Sequence, residues 1–182
     1  MQRASTTVVV VVGRETGGVL RALDRAANVR VLDLDDEAPP LDRAVEATRL
    51  AASAHIPYLV HDADPLAVVA DAWVRFFDGE GPIGELEVAV TETRARLRTG
   101  AIELPDYYAV LDPETLDETR RHFWLGVVHR DVPARVVPVP SDPDALLSAL
   151  GALTPGRWWS PADELLEGLD RAVPDQVGAG RS

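Results

Sequence analysis

Thr6-Thr7-Val8-Val9-Val10-Val11-Val12-Gly13 is the stretch that decides the fold. An unbroken run of β-branched residues suits a strand covered on both faces, which is the middle of a parallel sheet. It falls far short of the roughly 20 apolar residues that span a bilayer. The turn Gly13-Arg14-Glu15-Thr16-Gly17-Gly18 follows, and then Val19, Leu20, Leu23 and Ala27 recur at helical spacing. The first unit therefore reads strand, glycine-rich turn, helix.

Working outward, the same unit repeats. Apolar runs predict further strands over 29–34, 58–61, 107–111 and 135–139. Between them, Leu41, Val45, Thr48 and Ala52 form the stripe of a second helix. Leu66, Val69, Ala70, Trp73, Val74 and Phe77 give a third helix with a wide apolar face. The segment 83–98 alternates like a strand at Leu86, Val88 and Val90. Glu85 and Glu87 near its start, with Arg94, Arg96 and Arg98 near its end, suit a helix dipole and decide for helix. Helices are also expected over 113–124, with an extension to 129, and over 143–153 and 161–173. Strands alternating with helices imply a three-layer α/β sandwich, with about five mostly parallel strands and helices on both faces, of the flavodoxin or Rossmann-like sort. One domain is expected over 1–173, followed by a flexible Gly/Ala-rich tail over 174–182.

Charge and composition exclude several functions. The chain of 182 residues carries 18 basic and 30 acidic residues, a net charge of −12, and all the basic residues are arginine. This argues against nucleic-acid binding through a general basic field. It also excludes Schiff-base chemistry and a P-loop lysine. With no cysteine there is no disulfide or thiolate chemistry. Nothing near the N-terminus reads as an export signal, so a cytoplasmic location is expected, with no membrane partner.

In parallel α/β sheets ligands bind beyond the carboxyl ends of the strands, where the strand order reverses. The candidate ligand-binding residues are therefore Gly13, Arg14, Thr16, Asp35 and Asp62. Amides of the glycine turn and the guanidinium of Arg14 suit a phosphate group, so a nucleotide or phosphorylated metabolite is the ligand expected there. No complete catalytic constellation is visible. Four histidines lack metal-ligand spacing, and alternation would point His61 and Asp62 to opposite faces. Catalysis, cofactor and oligomeric state stay open.

Three acids, Asp64, Asp112 and Asp142, each precede a proline at a helix start, as does Ser160. Helix capping is expected of all four, and of the three acids through amides two or three residues on. The second functional reading is a non-catalytic protein-interaction or regulatory module that binds through the region of Trp158 and Trp159 or through the helix expected over 113–124. One indole is expected in the core and the other partly exposed.

The pair Asp62-Ala63-Asp64 at the end of an apolar strand resembles the metal-binding acids of nucleotide-sugar glycosyltransferases. The resemblance covers residues 6–77 and implies a divalent cation on Asp62 and Asp64 and a metal-dependent sugar transfer. The same pair looks like that of topoisomerase-primase-type metal domains, which end strand one in glutamate where this chain has Val12-Gly13. Asp33-Leu34-Asp35-Asp36 looks like the first motif of haloacid-dehalogenase-type phosphatases.

Overall fold

A computed structural model describes residues 6–154 and 158–172. Five strands form one wholly parallel sheet: β1 (Thr7–Val12), β2 (Val29–Val31), β3 (Tyr58–His61), β4 (Tyr107–Leu111) and β5 (Val136–Val139). Their order is β2-β3-β1-β4-β5, with the valine strand in the centre. The three-layer α/β class is as expected. The order itself, with β3 inserted between β1 and β2, is neither the flavodoxin nor the classical dinucleotide-binding one.

Strand alternation sends the valines of β1 into two separate cores. Val9 and Val11 join Val60, Tyr107 and Ala109 under α1 (Gly17–Leu23) and α7 (Pro143–Gly151). Val10 and Val12 join Tyr108 and Val110 under α3 (Ala67–Phe77) and α4 (Ile83–Thr99). On that second face α2 (Pro40–Ala51) covers Leu59 and Val8. Val9, Val10 and Val11 are each 1 % exposed, so both faces of the central strand are dry. Burying each valine contributes about 1.5–3 kcal/mol, which makes this strand the firmest part of the chain.

Four expectations need correction. The buried face of α2 is Leu41, Ala44 and Ala47 rather than Leu41, Val45, Thr48 and Ala52, because alanines let the helix lie close against its neighbours. The helix expected over 113–129 is broken. A short 3-10 turn (Pro113–Thr115) comes first, and Asp117 then caps α5 (Glu118–His122), accepting from the Arg120 amide at 2.8 Å. A π-helical stretch (Phe123–Val128) follows and runs into α6 (His129–Asp131). This wider winding buries Phe123, Trp124, Val127 and Val128 together. The helix expected over 161–173 is only α8 (Ala162–Leu166) and a 3-10 turn (Leu169–Arg171), parted at Gly168, whose φ of 72° a helix does not use. Ser160 does not cap it. Its hydroxyl donates to Asp131 at 2.7 Å instead. Position 173 and the tail over 174–182 lie outside the described residues.

Candidate functional site

Two places deserve comparison, and the first is the carboxyl edge of the sheet. Thr16 starts α1 without capping it; its hydroxyl donates to Asp62 Oδ2 at 3.0 Å. Arg43, in the first turn of α2, donates to Asp62 Oδ1 at 2.8 Å and to Asp36 Oδ1 at 2.9 Å. Asp62 thus ties the turn after β1 to the helix after β2, and its carboxylate is occupied by the chain itself. Asp35 is exposed, with Oδ1 accepting from the Glu37 amide at 3.0 Å in a local turn. Arg14 is exposed. Gly13 serves packing: a Cβ there would lie 3.0 Å from Leu111 Cβ and 3.2 Å from the Leu111 carbonyl. Of the five predicted residues, Thr16 and Asp62 meet directly. Arg43 is the partner that sequence reasoning missed; its only signal is a position seven residues after Asp36.

The other acids close the same edge. Asp142 caps α7 as expected, accepting from the Ala145 amide at 2.8 Å. Asp112 does not cap the turn after it. It adopts a φ of 38° and accepts from the Ser141 amide at 2.8 Å, which joins the loop after β4 to the loop after β5. Asp64 accepts from the Leu66 amide, two residues on, at 2.8 Å. It also accepts from the Tyr108 hydroxyl at 2.9 Å. Burial raises its carboxyl to about 7, although both hydrogen bonds pull the other way. Burial likewise raises the Tyr108 hydroxyl well above its ordinary value. Asp62 lies at the rim and Asp64 in the core, so the two carboxylates have separate surroundings. Among the described residues no group of three or more His, Asp or Glu side chains is arranged to hold a metal ion.

The second place is a groove of about 960 Å³ against the other face of the sheet. Its floor is Val8 and Val10 of β1 with Thr6 just before that strand, and His61 of β3 with Ala63 just after it. One wall is α2 from Ala44 to Ala52, the other is Leu97 with the loop from Gly100 to Pro105, and Trp158 to Ala162 lie across one end. None of Gly13, Arg14, Thr16, Asp35 or Asp62 lines it. The two tryptophans do, and they differ as expected. Trp159 is 6 % exposed and its Nε1 donates to the Pro105 carbonyl at 2.7 Å. Trp158 is 48 % exposed, its ring 4.6 Å from the Arg135 guanidinium carbon. Arg135 also lies over the Tyr107 ring at 4.8 Å, so a buried cation fixes the exposed indole.

His61 is the polar feature of the floor. Register pairs it with Val10, so it faces α2–α4 while Asp62 turns to the rim. The ring is 4 % exposed, and its Nδ1 has no hydrogen-bond partner among the described residues. Burial lowers its pKa to about 4, so the imidazole is neutral near pH 7. Neighbouring charges largely cancel there, Asp62 favouring the charged form and Arg43 opposing it.

Comparison with protein-family models, curated proteins and solved structures finds no match. Among the described residues no helix is long and apolar enough to cross a membrane.

Proposed function

We propose that this chain is a small-molecule-binding α/β domain whose ligand lies in the groove between α2 and the 100–105 loop. The observation that carries the reading is the groove itself: about 960 Å³, floored by the central strand β1 and its neighbour β3 and ended by two tryptophans. Ligand pockets typically fall between about 300 and 1,000 Å³, with apolar walls and few polar groups. The carboxyl edge is the weaker place for a nucleotide or phosphorylated metabolite. Its inward arginine, Arg43, already pairs through Nη2 with Asp36 and Asp62, and of its buried atoms only Nε is left without a partner among the described residues. The exposed side chains of Glu15, Asp35, Asp36 and Glu37 add negative charge at the same end.

A test uses the purified full chain titrated with N-phenylnaphthylamine, a neutral apolar fluorophore. Saturable binding is expected, and Ala101→Trp, which fills the groove from the loop, should weaken it by at least about tenfold. Absence of saturable binding overturns the reading. Stabilisation by a nucleoside triphosphate but not by the fluorophore would move the ligand to the carboxyl edge.

The second reading, a protein-interaction module, is favoured by Trp158. A half-exposed indole held by Arg135 offers a large rigid contact at little entropic cost. Under that reading Trp158→Ala weakens capture of a partner and leaves fluorophore binding in place.

A further inference from the structure

Resting on that groove, we propose that the ligand is a largely apolar molecule with one uncharged polar group, which hydrogen-bonds His61. Most polar side chains around the groove are already engaged, Glu103 and Trp158 among them. Thr6 Oγ1 donates to the Ala54 carbonyl at 3.0 Å and accepts from the Ile56 amide at 3.3 Å. Thr48 Oγ1 donates to the Ala44 carbonyl at 2.9 Å and accepts from the Glu103 amide at 3.2 Å. The Trp159 indole is bonded to Pro105, the Ser160 hydroxyl to Asp131, and Arg49 to Glu46. His61 differs from all of these: it is nine-tenths buried and lines the groove, and its unpaired Nδ1 is itself covered, so a ligand group reaches it as the ring turns toward the groove.

A buried polar group without a partner carries a desolvation cost that a matching ligand group removes, so the site discriminates by hydrogen bonding. An ion suits the site poorly. Asp62 and Arg43 stand beside the ring and already compensate each other, and apolar walls penalise any further unpaired charge. The ligand class that remains is a neutral amphiphile such as an aromatic or aliphatic alcohol, ketone or amide.

The experiment displaces N-phenylnaphthylamine from the full chain with four probes of matched shape: naphthalene, naphthalenemethanol, naphthoate and naphthylmethylammonium. The alcohol should compete at about tenfold lower concentration than the hydrocarbon, and both ions more weakly than the alcohol. In His61→Leu the alcohol and the hydrocarbon should become equal. His61→Gln, which keeps a polar group at the position, should restore part of the preference. Equal competition by alcohol and hydrocarbon in the wild type overturns the inference and leaves the groove reading standing. So does preference for either ion, or an alcohol preference that survives His61→Leu. Failure of the fluorophore and all four probes to bind overturns the groove reading instead.

Discussion

The carboxyl edge of the sheet and the groove beside α2 are built from opposite materials. At the edge, acids are dense and several of them bond back to the chain. Asp62 holds Thr16 and Arg43, Asp112 holds the Ser141 amide, and Asp142 caps α7. The groove is lined mainly by apolar side chains, and His61 in its floor is left with an unpaired nitrogen, as Arg43 Nε is at the edge. On the reading proposed above, charge density alone is a poor guide to where a ligand goes. An acid that satisfies its own backbone has little left to offer, whereas an unpaired nitrogen in an apolar wall does.

The largest expected effect separates the two tryptophans at the end of the groove. Trp159→Ala removes a buried ring and its bond to Pro105, and should cost about 3–5 kcal/mol in urea unfolding. Trp158→Ala removes an indole exposed to solvent and one cation–π contact, and should cost about 1 kcal/mol or less. Equal losses would mean that both rings belong to the core and that the groove end is closed.

Much of the fold was legible because it depends on local pattern. Valine density in β1 announces a central strand, and the glycine at 100, with a φ of 69°, ends α4 where the sequence suggests. The paired tryptophans also divide into buried and exposed as adjacency implies. The buried stripe of α2 was misread because hydrophobicity ranks Val45 above Ala44, while close packing favours the smaller residue. The caps at Asp112 and Ser160 were misread because a side-chain oxygen takes whichever amide or carboxylate the tertiary fold brings near, here Ser141 and Asp131. The groove was not legible at all. It brings together β1, β3, the loop over 100–105 and the segment from Trp158, which lie up to about 150 residues apart and share no local pattern.

The next effect tests the boundary between the two regions, where His61 and Asp64 stand three residues apart with opposite responses to pH. Asp64 rises from its ordinary 3.8 to about 7, so between those values the folded chain holds a proton that the unfolded chain has lost. Its contribution to stability therefore declines as pH rises through that window. His61 falls from 6.5 to about 4, so between those values the unfolded chain holds the extra proton. Its contribution grows as pH rises. Between about pH 4 and 6.5 the two oppose each other. Relative to wild type, Asp64→Asn should make stability climb more steeply with pH across that range, and His61→Leu should make it fall. Each difference approaches at most about 1.4 kcal/mol per pH unit. Parallel profiles for all three chains would show that neither group is buried in the form described.

The smallest effect decides which region the ligand uses. Asp62 is partly exposed, and Arg43 keeps Asp36 as a second partner, so Asp62→Asn removes one charge-assisted bond without stranding a cation. Asparagine is close to aspartate in shape and can still bond Thr16. The expected loss is about 1 kcal/mol, measured by urea unfolding, with fluorophore affinity for the groove unchanged within about twofold. That pattern fits a carboxylate whose work is to join two loops. A gain in stability would mean the reverse, because residues held in place for binding often persist at the expense of the fold. Asp62 would then be the better candidate for contact with a ligand, and the carboxyl edge, with Thr16 and Arg43 released from their partner, would replace the groove as the site.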